Sequence, residues 1–155
     1  MAKDTRRRPR HDGWEGDARS DARERALLLL YEAESRGADA AATIDAQVVR
    51  PDEMTRDLVL GVAEHRERLD REIAAHAKGW TIARMPLVDA MVMRIAGYEL
   101  IGRPDVPVAV VLDEAVELAK RFSTDDSGRF VNGVLSAMVP VLRPGPARPH
   151  GRDDG

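Results

Sequence analysis

The fold is decided by residues 84–101, and above all by Met85-Pro-Leu-Val-Asp-Ala-Met-Val-Met-Arg-Ile-Ala-Gly-Tyr-Glu-Leu-Ile101. The apolar side chains of this stretch cover most of the circumference of a helix, and Asp89, Arg94 and Glu99 are the only charges within it. A helix that is apolar nearly all round is buried on all sides. The sequence therefore predicts a central helix with other helices packed around it.

Helical periodicity continues upstream of this stretch. An apolar stripe at helical spacing follows Ser20 and Asp21, either of which can cap a helix, and it stops at Gly37. A weaker, alanine-rich helix comes next and ends before Pro51. These patterns predict two helices before the first long charged segment.

The segment from Asp52 to Gly79 is helical in its apolar period but has a strongly charged middle. Asp52 can open a helix and Gly79 can close one. Between them, Glu64-His-Arg-Glu-Arg68 interrupts the apolar positions. We therefore expect a break or kink there, and two helices rather than one.

Two further helices are predicted downstream. Residues 106–111 are rich in valine and could form a short strand, but the helical register continues as far as Phe122, which favours a helix. The last helix is predicted to be capped by Asp125 or Asp126 and to end at Pro140. Together the patterns predict an all-α bundle of about seven helices.

Charge and composition divide the chain into a folded part, residues 20–142, and two tails. We expect residues 1–19 to be a basic, flexible arm and residues 143–155 to be a disordered C-terminal tail. The first ten residues carry five basic side chains and one acidic one, so the net charge of -3 is a +4 arm on a -7 remainder. Such an arm either grips phosphate or merely solubilises the protein, and composition leaves both open.

Several classes of function are excluded by what the sequence lacks. There is no cysteine, which excludes a disulfide framework, thiol catalysis and thiolate zinc sites. No pair of the four histidines has the i, i+4 spacing of metal ligands, and no phosphate-binding glycine loop or nucleophile motif occurs. We predict no enzyme, no metal and no cofactor. Because no apolar run suits a membrane helix or a signal peptide, we expect a cytoplasmic protein without membrane association.

The polar face of the first helix is a candidate phosphate-binding surface. Arg19 and Arg23 are spaced i, i+4 and could contact consecutive phosphates, and Arg25 lies nearby. Alternatively, Asp21 and Glu24 neutralise these arginines locally.

Two other features, the pair Phe122 and Phe130 and the single acid Asp89, are candidates for a role beyond core packing. Phe122 and Phe130 flank a hydrogen-bonding loop, which suits stacking on a base and reading its edge, although both rings could equally belong to the core. Asp89 is the lone acid of an apolar run. It could pair with Arg84 or Arg94, or mark a docking surface.

Five segments carry a more specific pattern. They are Arg23-Glu-Arg-Ala-Leu-Leu-Leu-Leu-Tyr31, Val92-Met-Arg-Ile-Ala-Gly-Tyr-Glu-Leu100, Asp105-Val-Pro107, Asp113-Glu-Ala-Val-Glu-Leu-Ala-Lys120 and Asp126-Ser-Gly-Arg-Phe-Val-Asn-Gly-Val-Leu135. In order and spacing they resemble the NusB family of bacterial transcription antitermination factors, of actinobacterial type. The resemblance covers residues 20–142.

This resemblance implies a fold of two packed helical bundles and a role in RNA binding. Family members bind the boxA element of nascent ribosomal RNA transcripts together with NusE, a small-subunit ribosomal protein, alongside other Nus factors and RNA polymerase. The RNA-binding positions that it implies are Arg19, Arg23, Arg25, Tyr31, Phe122, Asp126, Phe130 and Asn132. The NusE-binding positions are Asp89 and Asp126.

The chain departs from the family in where its arginines lie. Family members often place them just before the first helix, whereas here they occupy residues 6–10 and Ser20 and Asp21 precede the predicted helix. Either the arm folds back onto RNA, or the protein depends more on NusE for affinity. A helical interaction domain that homodimerises and masks its RNA-binding face is the alternative hypothesis.

Overall fold

Six helices make up the part of the chain that the computed structural model describes, residues 14–145. They are α1 (Trp14–Arg36), α2 (Ala40–Asp45), α3 (Glu53–His76), α4 (Leu87–Gly102), α5 (Val108–Phe122) and α6 (Asp125–Leu142). The described residues contain no strand, so the all-α class is confirmed, with six helices rather than about seven. Among them, no helix has the length and apolar character needed to cross a membrane.

The helices form two groups of three that meet mainly along α4, with a further contact between α3 and α6. Helices α1, α2 and α3 contact one another, as do α4, α5 and α6, and α4 also packs against α1 and α3. Every residue from Asp89 to Leu100 is buried, which confirms the prediction of a central helix. The arrangement agrees with the two packed bundles that the family resemblance implies.

Helix α3 is continuous, so the predicted break at residues 64–68 is wrong. The apolar positions on either side, Val62 and Leu69, stay buried in one helical register. The charged residues between them are on the exposed side, where Arg66 donates to Glu34 of α1 at 3.0 Å. Charge in the middle of a helix is tolerated because it occupies the solvent face without disturbing the buried one.

Helix α1 begins earlier than predicted. Its first residue is Trp14, so residues 14–19 of the predicted arm are helical, and neither Ser20 nor Asp21 is its cap. Once a helix is nucleated by packing, each further residue adds a hydrogen bond, and residues 10–20 contain no proline that would stop the helix from extending toward the N-terminus. Residues 1–13, with most of the arm's arginines, lie outside the described residues.

Two other predicted helix ends also differ. Thr124 caps α6 by accepting a hydrogen bond from the Ser127 N–H at 3.1 Å, so the predicted cap at Asp125 or Asp126 is wrong. Pro140 lies inside α6, which continues to Leu142. The predicted cap Asp52 is confirmed, since its carboxylate accepts from Thr55 N–H at 2.7 Å.

Arg143 ties the end of α6 to the end of α4. Its guanidinium donates to the backbone carbonyls of Glu99, Leu100 and Arg103 at 2.9 to 3.0 Å, and to that of Val106. These carbonyls lie at or just beyond the C-terminal turn of α4, where helical acceptors lack partners. The first residue of the predicted tail is therefore anchored, while residues 146–155 lie outside the described residues.

Tyr98 lies at a close contact between α3 and α4. A Cβ at Gly61 of α3 would come within 2.1 to 2.4 Å of the Tyr98 ring, so only glycine fits there. The Tyr98 hydroxyl donates to Asp57 at 2.6 Å, and Arg103 donates to the same carboxylate at 2.8 Å. Burial, together with the hydrogen bond to Asp57, raises the pKa of Tyr98 to about 12.

Candidate nucleic-acid interface

Arg23 is buried, although the sequence predicted that it lies at the surface and contacts phosphate. Its side chain is 2% exposed, and its Nε and Nη2 donate to the two carboxylate oxygens of Glu99 at 2.7 and 2.9 Å. Glu99 is itself only 1% exposed. Because both partners are satisfied within α1 and α4, Arg23 does not share a phosphate-facing surface with Arg19 in this structure.

Arg19 and Arg25 are the predicted basic residues of α1 that remain at the surface, and Arg36 at the end of the helix is exposed as well. Arg19 lies 3.4 Å from Asp105, and the two side chains are 37% and 63% exposed, so the pair is weak. Arg25 donates to the backbone carbonyls of Val49 and Arg50, between α2 and α3. No carboxylate within residues 14–145 pairs with Arg25, which leaves its charge available to an anion.

An ion pair links the polar face of α1 to the end of α5. Arg121 donates through both terminal nitrogens to Glu24, at 3.2 and 3.3 Å. Its guanidinium carbon also lies 5.1 Å from the ring centroid of Phe122. Glu24 therefore does not neutralise Arg23. Sequence reasoning missed Arg121, although a basic residue beside an aromatic one at a helix end was the available signal.

Asp89 is 2% exposed and accepts a hydrogen bond from the Ser127 hydroxyl at 2.9 Å. Of the two alternatives considered for Asp89, pairing with Arg84 or Arg94 is not seen in the described residues, and Arg94 donates to Asp70 at 2.7 Å instead. The second carboxylate oxygen of Asp89, Oδ1, is buried without a partner in the described residues. Asp89 thus contacts α6 and does not present its carboxylate at the surface.

Ser127 organises the loop before α6. Its hydroxyl lies 3.0 Å from the hydroxyls of both Ser123 and Thr124, in addition to the bond to Asp89. The Thr-x-x-Ser spacing of a helix cap was the signal for this cluster, which sequence reasoning missed. Asp126 precedes Ser127 and lies at the surface. Among the described residues, its carboxylate contacts only Arg129, at 3.8 Å, and both side chains are nearly fully exposed.

The predicted aromatic and amide positions differ in exposure. Tyr31 is 46% exposed on α1, and Asn132 is exposed on α6. Phe122 and Phe130 are half-buried and pack against the core. Both rings therefore contribute to packing, and stacking on a base stays a prediction for the part of each ring that is accessible.

Curated relatives of this sequence bear the name transcription antitermination protein NusB. The protein of Saccharopolyspora erythraea is 52% identical over 130 residues, which are 80% of this chain and 88% of that protein. The protein of Bifidobacterium longum subsp. infantis is 40% identical over 136 residues, or 84% of this chain and 73% of that protein.

Solved structures of the same kind are also similar. T. maritima NusB has a TM-score of 0.71 and 31% identity, covering 78% of this chain and 89% of that one. A chain in the crystal structure of antitermination factors NusB and NusE in complex with dsRNA has a TM-score of 0.69 and 27% identity, and the match covers 81% of this chain and 98% of that one. The NusB family profile matches residues 20–140. The chain belongs to the NusB family.

Proposed function

We propose that this protein is an RNA-binding transcription antitermination factor, which binds boxA of nascent ribosomal RNA transcripts together with NusE. The observation that carries the proposal is the similarity to the chain in the complex of NusB, NusE and dsRNA, which extends over 98% of that chain. The relative from Saccharopolyspora erythraea, itself an antitermination protein, supports the same role. Such a factor acts in the cytoplasm, beside RNA polymerase and other Nus factors, and has no reaction to catalyse.

Phosphate binding is assigned to the surface arginines around α1. Arg25 has no carboxylate partner among the described residues, and Arg19 has only a weak, exposed one. Arg121 is 48% exposed, holds its guanidinium beside Phe122 and has an exposed ion pair with Glu24. Cations in these states can exchange their present contacts for phosphate at little cost. Arg23 is instead a positioning residue that fixes α1 against α4.

Base contacts are assigned to exposed and half-buried residues of α1, α5 and α6. The aromatic rings are those of Tyr31, Phe122 and Phe130, and Asn132 offers an amide for reading a base edge. These groups are held by rigid helices, which lowers the entropic cost of ordering them on RNA.

NusE binding is assigned to the start of α6 and the neighbouring part of α4. Asp126 is exposed and can contact a partner directly, whereas Asp89 is buried and acts through Ser127 by holding the loop in place. Because one loop then serves both ligands, their affinities should be coupled, and the coupling must be reciprocal. The homodimerising interaction domain is not favoured, since the named relatives are antitermination proteins.

A titration of labelled boxA RNA with the full chain, with and without NusE, tests this proposal. We expect boxA RNA to bind more tightly than an RNA of scrambled sequence, and NusE to raise the affinity further. Equal affinity for the two RNAs would contradict boxA recognition. Equal affinity for boxA with and without NusE would contradict the coupling while leaving RNA binding in place.

A further inference from the structure

Trp80 is a large, exposed aromatic residue beside the start of α6. It lies between α3 and α4, and its side chain is 49% exposed. Its ring centroid is 6.1 Å from that of Phe130, with the two planes inclined at 60°. This tilted geometry is favourable for an aromatic pair, and it places the indole at the edge of the surface to which Phe130 belongs.

The connection that carries Trp80 is well anchored. The Trp80 backbone N–H donates to the Ala77 carbonyl at 2.9 Å across a turn in which Gly79 has a φ of +79°. Further along, Met85 donates to Thr81 at 3.1 Å, and the Met85 side chain is 6% exposed. The exposed position of the indole is therefore built into the fold, since both sides of the segment are held.

The indole offers unused binding capacity. Its N–H has no acceptor within residues 14–145, and because the side chain is half exposed this donor is open to solvent or to a ligand. Phe130 contacts Trp80 and is half-buried, whereas nearly half of the Trp80 side chain faces solvent. A large part of the indole face is therefore accessible to a ligand.

Positive charge accompanies the aromatic pair. Lys78 and Arg84 are exposed in the same connection and have no carboxylate partner among the described residues. Arg129, next to Phe130, is 88% exposed and only 3.8 Å from an equally exposed Asp126. Exposed aromatic rings combined with exposed cations are typical of surfaces that bind single-stranded nucleic acid.

We propose that Trp80 is an RNA-stacking residue, on whose exposed indole face a base of the bound single strand packs beyond Phe130. This inference rests on the proposed RNA-binding function and adds to it a residue outside the positions that the family resemblance implies. It extends the binding surface from the start of α6 onto the connection between α3 and α4. Base stacking on an aromatic residue tolerates any base, so Trp80 would contribute affinity more than sequence preference.

Intrinsic fluorescence tests the proposal directly, because the chain has two tryptophans. In the full-length variant Trp14→Phe, all tryptophan emission comes from Trp80. We expect saturating single-stranded boxA RNA to quench that emission, since a stacked base quenches an indole. NusE alone should leave the emission unchanged. This measurement leaves Trp80 intact, so it does not depend on how a substitution at that position folds.

Affinity measurements complete the test. Trp80→Ala should weaken boxA binding about 5- to 100-fold, which is the range for loss of one stacked base. Trp80→Phe should recover most of the affinity, because it restores an aromatic face. Leu60→Ala, at a 38% exposed apolar residue of α3, is the matched control and should bind RNA as the unaltered chain does.

The outcomes separate the two levels of the proposal. If the unaltered chain binds boxA RNA but Trp80 emission and the affinity of Trp80→Ala do not change, the stacking role is overturned and RNA binding stands. If Trp80→Ala weakens NusE binding alone, the residue belongs to a protein-docking surface and the proposal is overturned. If the unaltered chain binds no RNA, the proposed function fails and the stacking role fails with it.

Discussion

Arg23 and Arg25 lie two residues apart on α1, yet their environments are opposite. Arg23 is 2% exposed and donates twice to Glu99 of α4. Arg25 donates only to backbone carbonyls near Arg50 and has no carboxylate partner among the described residues. Two residues along a helix are separated by about 200° around its axis, so one side chain faces the core when the other faces solvent. The basic residues of α1 thus divide into one that stabilises the fold and others that lie at the surface with exposed contacts only.

The two tyrosines of the chain show the same contrast. Tyr98 of α4 is 8% exposed, and its hydroxyl donates to Asp57 at 2.6 Å. Tyr31 of α1 is 46% exposed. Polar groups around the C-terminal half of α4 are therefore internal and hydrogen-bonded, whereas those on the outer side of α1 are open to a partner. Three substitutions, taken from the largest expected effect to the smallest, test this division.

Replacing Arg23 should have the largest effect. Arg23→Met leaves the Glu99 carboxylate buried and unpaired, which we expect to lower the free energy of unfolding by about 3–5 kcal/mol. Urea denaturation measures this loss. Arg25→Met is the matched control and should change stability by less than about 1 kcal/mol, since its contacts are exposed. Similar losses in the two variants would contradict the division between a buried and a surface arginine.

A double variant sharpens the same test. Arg23→Met combined with Glu99→Leu removes both charges and should recover much of the stability that Arg23→Met loses, because hydrophobic replacements of buried ion pairs are often neutral. A double variant that is destabilised by the sum of the two single effects would show that the two residues do not interact.

The second prediction concerns alkaline pH. The folded-state pKa of Tyr98 is raised to about 12, above its usual value of 10.0. The unfolded chain therefore loses the Tyr98 proton first. The stability from this group is complete below pH 10.0 and is lost as pH rises toward about 12.

Two variants isolate this contribution. The loss should approach about 3 kcal/mol, and Tyr98→Phe should remove it from the pH dependence of urea unfolding. Tyr31→Phe should leave the alkaline loss in place. If the free energies of unfolding of Tyr98→Phe and of the unaltered chain decrease equally above pH 10.0, the burial of Tyr98 is not the cause of the alkaline loss of stability.

The smallest effect is expected at the open surface. Arg25→Gln should weaken boxA RNA binding by several-fold and lower the salt slope of binding by about one, as loss of one phosphate contact does. Arg68→Gln, at an exposed arginine of α3, is the charge-matched control. An unchanged slope for Arg25→Gln, measured over the same salt range, would exclude Arg25 as a phosphate contact.

Most of the fold was predictable from the sequence, but many of the hydrogen bonds and ion pairs at the candidate site were not. The buried α4 followed from its apolar circumference, and the cap at Asp52 followed from local chemistry. Charge at residues 64–68 misled the prediction of a break because local polarity does not show whether a residue faces solvent or interrupts a helix. The RNA- and NusE-binding positions remain predictions, apart from the altered placement of Arg23 and Asp89.

Long-range pairing accounts for what local patterns missed. Arg23 and Glu99 are 76 residues apart, and Asp89 and Ser127 are 38 apart. The apolar periodicity of a helix indicates which face is buried. A prediction made from it alone places charged residues on the exposed face. A charge enters the core only when a partner from another helix satisfies it, and that partner is not visible in the local pattern.

The sequence by itself determined the all-α class, the central position of α4 and the family, because apolar periodicity and local motifs are properties of short segments. The tertiary structure decided which charges are structural and which are available, since that depends on contacts between α1, α4, α5 and α6. Arg23 faces Glu99, Asp89 faces Ser127, and Trp80 lies against Phe130. Each pair joins residues far apart in the chain, and only packing of the helices brings them within contact.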